Sequence, residues 1–294
     1  MSELARRVLV AVVGIPAALA IVWFGDAALA ALLGMIAALG AWEYFRIARA
    51  GGSTPLAGLG IPLAAAMPLV VHAQHLGYTR QLANPLGVLL VLGVIGSLLI
   101  FAVAIWSRGV AGHPLGAAAV TVFGVIYTGA TLSYGYLLRY HDYAVGAAAG
   151  TALMMFPVLL TWAQDTGAYA VGRTMGRHKL IPAISPGKTV EGAIGGVLIT
   201  VLASWVYVRF LLVPYAQLGL RPGDIVVFGV LISVAAQVGD LAESLIKREA
   251  GVKDSSRIIP GHGGILDRFD SLLFVLPVAY LLLGWMLIPA PAGR

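Results

Sequence analysis

The chain has no cysteine among its 294 residues. Disulfides, thiolate metal sites and cysteine nucleophiles are therefore excluded, while the compartment stays open. Charge is scarce too: Asp, Glu, Lys and Arg make up 11% of the residues. The alternation of apolar and polar residues that marks a spanning strand is missing. Also missing are a soluble domain, a linker, a low-complexity tract and any internal repeat evident by eye.

What remains is apolar: 60% hydrophobic, with a mean hydropathy of +0.91. A water-soluble domain rarely exceeds about half apolar residues. Long unbroken apolar runs read as membrane-spanning helices. The expected fold class is all-α, a polytopic transmembrane helical bundle of about nine spans. Their limits fall near 8–25, 27–45, 57–74, 86–106, 115–138, 145–164, 190–213, 225–246 and 271–289. The first run is longer than the roughly 7–15 apolar residues of a signal peptide, and more spans follow, so it reads as a retained helix. Only Gly25 and Asp26 separate the first two segments, so eight spans are the alternative. Residues 1–140 are chemically sparse and read as scaffold. Residues 141–294 read as the catalytic region of the same membrane domain.

The net charge of +6 does not point to nucleic acid here. In a membrane protein it reads as the Lys and Arg excess of cytoplasmic loops. With the N-terminus inside and nine spans, fourteen cations fall inside, among them Arg6, Arg7, Arg46 and Arg49. Five fall outside: Arg80, Arg139, Arg209, Arg221 and Arg294. This places two long polar loops, near 165–189 and 247–270, on the cytoplasmic face.

The first loop opens with Asp165 at the end of an apolar run, where a carboxylate is costly and is a functional candidate by default. Its later part, Ser185-Pro186-Gly187-Lys188-Thr189, looks like a phosphate loop but lacks the glycine of that motif, with Pro182 in its place. The physics can still be shared. Gly187 lets amides approach an anion, Lys188 supplies charge, and Thr189 or Glu191 opens a helix. The plain alternative is a tight turn before the seventh span. His178, Arg177 and Lys179 read as an anion-binding cluster. Trp162 and Tyr169 could stack on a base, although interfacial aromatics are the commoner reading. Gly192 and Gly196 have the spacing of close helix packing.

The second loop carries Asp240, Glu243, Asp254, Asp267 and Asp270 interleaved with Lys247, Arg248, Lys253, Arg257 and Arg268. On a helix Asp240, Glu243 and Lys247 share one face, as do Asp267 and Asp270. Any one pair reads as an ordinary salt bridge, but the whole set beside a membrane-embedded Asp240 does not. Oxygen-only acids suit a hard ion such as Mg²⁺, which takes one or two carboxylates plus substrate phosphates. The interleaved cations fit a triphosphate. His262, flanked by glycines, reads as positional or phosphate-binding rather than as a general base. A transporter would show broken helices and inverted repeats; charge gathered at one face argues for an enzyme.

From Ser244 to Asp270 the chain reads S-L-I-K-R-x4-K-D-x-S-x2-I-P-x-H-G-G-I-x-D-R-F-D. This resembles the signature of the phosphatidate cytidylyltransferases, or CDP-diacylglycerol synthases. Asp165 to Tyr169 and Ser185 to Thr189 are similar to a second block of the bacterial members. Val190 departs from the Trp common there, and Gln164 is less usual. The resemblance implies transfer of the cytidylyl group of CTP to phosphatidic acid at a lipid bilayer, in a bacterial inner membrane with the N-terminus cytoplasmic. It also implies Mg²⁺ with room for a second cation such as K⁺, and it allows a homodimer. As catalytic residues it implies Asp240, Lys247, Arg248, Lys253, Asp254, Asp267 and Arg268. For substrate it implies Asp165, Lys179, Ser185, Lys188, Thr189, Glu191, Ser244, His262, Gly263 and Gly264. For metal it implies Asp240, Asp267 and Asp270.

Overall fold

The computed structural model describes residues 3–78, 85–258 and 263–290, with side chains at residue 12 and from 14 onward, Pro85 excepted. Arg80, His262 and Arg294, and the side chains of Arg6 and Arg7, lie outside the described residues. The fold is all-α, as composition requires. Its helices are α1 (Glu3–Phe24), α2 (Asp26–Ala50), α3 (Ala57–His75), α4 (Pro85–Arg108), α5 (Pro114–Val125), α6 (Thr131–Arg139), α7 (Gly146–Met175), α8 (Val190–Tyr207), α9 (Pro222–Glu249) and α10 (Leu266–Met286). A π-helical turn, Ile126–Ala130, joins α5 to α6 into one long rod, and another, Val208–Ala216, extends α8.

Among the described residues eight helices are long and apolar enough to cross a membrane. The expected first span is helical as α1, whose apolar part with described side chains is Gly14–Phe24. Large apolar side chains face outward along the rods, such as Leu90, Trp106, Leu198 and Trp285. In water such a surface would aggregate; the protein is a multi-pass membrane protein.

Two of the boundaries that differ from expectation matter for the site. Helix α7 runs on to Met175, so Asp165 sits inside a helix and not at the head of a loop. At about 1.5 Å per residue its 30 residues rise about 45 Å, well beyond the ~30 Å of a bilayer's hydrocarbon. Its polar final turns therefore project beyond the hydrocarbon. Helix α10 begins at Leu266, which puts Asp267 in its first turn.

The chain folds as two units. The first comprises Met1–Leu137 and Ile246–Phe269, and the second Leu138–Leu245 and Asp270–Arg294. In the first, α2 packs along α3, and Tyr44, Phe45, Phe123 and Tyr127 form an aromatic cluster with centroids 5.4–6.1 Å apart. In the second, α7 and α8 make the closest seam. A Cβ added at Gly195 would lie 2.5 Å from the Val171 side chain, and one at Gly192 would lie 2.8 Å from the Ala168 carbonyl. The expected close packing at Gly192 and Gly196 is thus present. Phe156 stacks between Tyr207 and Phe228 at 4.6 and 4.7 Å, filling the core behind that seam.

Candidate active site

In the second unit, Gln164, Asp165, Ala168, Tyr169, Gly172 and Arg173 recur on one face of α7, at the three-to-four-residue spacing of a helix. They line a cavity of about 630 Å³. That lies in the roughly 300–1,000 Å³ range of small-molecule sites. Gly192 and Ala193 of α8 and Gln237 and Asp240 of α9 complete the helical wall.

The remaining wall is a two-stranded hairpin. Lys179–Ile181 (β1) pairs antiparallel with Ser185–Thr189 (β2). The S-P-G-K-T stretch is therefore a strand, not a tight turn. Extended backbone projects Ser185, Gly187 and Lys188 to the cavity before Thr189 caps α8, accepting from Gly192 N at 3.1 Å. Lys188 Nζ lies 2.7 Å from Asp240 Oδ2, with both side chains partly open to solvent. Ser244 sits one turn beyond Asp240, its Oγ 3.4 Å from Oδ1.

Two expected substrate-binding residues are engaged elsewhere. Lys179 Nζ donates to the Pro186 carbonyl at 2.7 Å and closes the hairpin. Glu191 accepts from the backbone N–H groups of Arg177 at 3.0 Å and His178 at 3.1 Å, and from His178 Nδ1 at 2.5 Å. That anchors the hairpin's entry. Trp162 does not line the cavity, whereas Tyr169 does and accepts from Arg173 Nη1 at 2.6 Å.

The first unit gathers the rest of the signature around Asp267. Lys247 Nζ lies 2.7 Å from its Oδ1, and the two side chains are 12% and 11% exposed. Its Oδ2 accepts from Ser255 N at 3.1 Å, Ser255 Oγ at 2.7 Å and Gly264 N at 2.9 Å. Gly263 has φ +82°, and a Cβ on Gly264 would lie 2.5 Å from Glu43 Oε1. The two glycines are therefore required by shape. Arg248, Lys253, Asp254 and Arg268 are exposed around this cluster. Asp270 belongs to the second unit, where its carboxylate accepts from Ser271 N at 2.6 Å.

The residues fit a divalent ion at the cavity. Asp165 and Asp240 offer two carboxylates on one wall, as many as Mg²⁺ takes when phosphate and water complete its shell. Among the described residues no group of three or more His, Asp and Glu side chains is placed to hold a metal. Asp267 fits less directly, because both of its oxygens already accept hydrogen bonds.

Sequence reasoning missed Glu43, Arg46, Ser255 and Gln237. Gln237 lines the cavity and donates to Ser233 Oγ at 3.2 Å. Glu43 is fully buried beneath the signature loop. It is the only Asp or Glu between residues 27 and 141, inside an apolar run. A lone intramembrane carboxylate was the signal that could have found it.

Fold and site together define a multi-pass helical membrane protein that gathers carboxylates and cations into a cavity and a buried cluster. Residues 5–286 match the cytidylyltransferase family, and the chain belongs to it. It is 44% identical over 166 residues to a phosphatidate cytidylyltransferase of Staphylococcus epidermidis, covering 56% of this chain and 59% of that protein. It is similar to those of Staphylococcus aureus, at 44% over 169 residues, and Staphylococcus saprophyticus, at 42% over 166, with the same coverage. The chain thus spans less than two thirds of the length of these relatives.

Proposed function

We propose that the protein transfers the cytidylyl group of CTP to phosphatidic acid, giving CDP-diacylglycerol and pyrophosphate. The observation that carries this reading is the cavity where Lys188 of the hairpin meets Asp165 and Asp240 of two spanning helices. Its mixture of cation and carboxylate suits a metal-bound triphosphate, and its setting suits a lipid co-substrate.

A phosphate oxygen of phosphatidate attacks the α-phosphorus of CTP, and the bond to pyrophosphate breaks. The nucleophile is already ionised near neutral pH, with a phosphate second pKa of about 6, so a strong general base is not required. The barrier is electrostatic, because an anion approaches a polyanion. Positioning and charge neutralisation therefore carry catalysis. Lys188 and Ser185 hold the triphosphate, and Lys188 keeps Asp240 aligned until substrate arrives. Lys247, Arg248, Lys253 and Arg268 serve the lipid phosphate and the leaving pyrophosphate. Asp240 with Asp165 would hold Mg²⁺, and the ion would supply further neutralisation of phosphate charge. K⁺ is the candidate second cation. The orientation is N-terminus cytoplasmic, which opens the cavity to CTP, in a bacterial inner membrane and as a homodimer.

The test uses purified protein in detergent with phosphatidic acid, labelled CTP, Mg²⁺ and K⁺, and again with EDTA. A lipid-extractable cytidine product with pyrophosphate, lost in EDTA, is the expected result. Folded protein that makes neither would sink the reading.

A further inference from the structure

Glu43 lies in α2, far in sequence from the signature stretch, and its side chain is fully buried. Among the described residues no cationic side chain is one of its hydrogen-bond partners. It accepts instead from four neutral donors: Ser255 Oγ at 2.9 Å, Ser256 Oγ, Ile265 N at 3.0 Å and Leu266 N at 2.6 Å. Burying a carboxylate is costly unless its oxygens are satisfied, and three donors of its own, with the Ser255 hydroxyl shared with Asp267, satisfy this one. Two of those donors are the backbone amides that open α10, which no earlier carbonyl can reach. One turn on, Arg46 donates to the Ser255 carbonyl.

We propose that Glu43 is a positioning residue for the transfer reaction, setting Asp267 through Ser255 and the first turn of α10. The path is short. Ser255 Oγ contacts Glu43 on one side and Asp267 on the other, at 2.9 and 2.7 Å. A hydroxyl has one proton, so Ser255 donates to one carboxylate at a time and holds both by its place. The amides of Ile265 and Leu266 fix the start of the helix that carries Asp267 and Arg268. Only glycine fits at 264, because Ser255 Oγ and the Glu43 oxygens occupy the space a Cβ would take. Among the described residues, none of the hydrogen-bond partners of Glu43 lines the cavity of Lys188 and Asp240, so the expected effect falls on turnover and not on CTP binding.

The inference rests on the reaction proposed above, and the test separates the two. Glu43→Gln keeps the shape but turns an NH₂ toward donors. A serine hydroxyl can rotate away from it; a backbone N–H cannot. A misplacement of about 1 Å costs about 10²-fold in rate. The expected result is a kcat lower by about 10²-fold, with the KM for CTP within about twofold of wild type. Ser255→Ala should lower kcat too, and the double variant should lose less than the product of the single losses, because coupled residues are not additive. A readout that needs no turnover accompanies these. Hydrogen exchange at residues 255–258 and 263–267 should quicken by about tenfold in Glu43→Gln while the core of α2 and α3 stays protected. Unchanged kcat, a multiplicative double variant or unchanged exchange would each overturn the proposal. If Glu43→Gln fails to fold, Ser256→Ala carries the test, since its hydroxyl touches Glu43 and not Asp267. A kcat lower by about three- to tenfold supports the inference, and an unchanged kcat overturns it. Should wild type make no CDP-lipid, the reaction reading fails alone and the exchange experiment still decides the role of Glu43.

Discussion

The two units treat their carboxylates in opposite ways. In the first, Glu43 and Asp267 are buried, and every oxygen accepts hydrogen bonds from serine hydroxyls, backbone amides or Lys247. In the second, Asp165 and Asp240 face a cavity, and Asp240 has one close cation, Lys188, and one long contact to Ser244. Both units spend charge in an apolar chain, but for different ends. A satisfied carboxylate fixes the shape of a loop. A carboxylate left partly open can exchange its partner for a ligand.

The first way to break that contrast is Asp240→Asn. If the open carboxylate serves the reaction, kcat falls by about 10³-fold, as expected where charge neutralisation dominates. Detergent unfolding should stay at the wild-type midpoint. Near-normal turnover would remove Asp240 from the chemistry. Asp267→Asn should behave differently. It breaks the largely buried Lys247–Asp267 pair, and breaking such a pair costs about 3 kcal/mol or more. Its unfolding midpoint should drop, and a chemical denaturation series in detergent measures it. A variant as stable as wild type would mean that the Asp267 network is not structural. Next in size is Gly195→Val. Its branched side chain meets Val171 across the α7–α8 seam, and overpacking costs about 1–3 kcal/mol. The loss should appear in thermal stability and in the KM for CTP, because the same two helices line the cavity.

Much of this was legible in the sequence, for physical reasons that also mark its limits. Apolar runs of membrane length set the helices, because a bilayer demands both the length and the absence of charge. The charged constellation set the site, because an oily chain pays for polar residues only where they work. Three things escaped. Asp165-Thr166-Gly167 looked like the start of a loop, since polarity and glycine usually end a span. The helix continues because its other face is small enough to press against Gly192 and Gly195 of α8. Ser185 to Thr189 looked like a phosphate turn, but pairing with Lys179 to Ile181 makes it a strand. Glu43 was assigned to scaffold, since its four partners lie more than two hundred residues away in sequence and no local pattern links them.

Glu191 gives the smallest expected effect and the sharpest contrast. Its sequence position after Lys188 and Thr189 suggests a substrate ligand, whereas its contacts are the hairpin's entry at Arg177 and His178. Those contacts lie at the surface, where water competes with each hydrogen bond and screens the charge. Glu191→Gln keeps a carbonyl oxygen for one backbone N–H and loses the rest. The hairpin that carries Lys188 should loosen slightly. The KM for CTP should then rise about two- to threefold, in keeping with the small worth of exposed contacts, and kcat should not change. If kcat falls together with KM by tenfold or more, Glu191 belongs with Asp240 as a residue that meets substrate. A change confined to KM leaves it a carboxylate that holds the hairpin, and with it Lys188, in place.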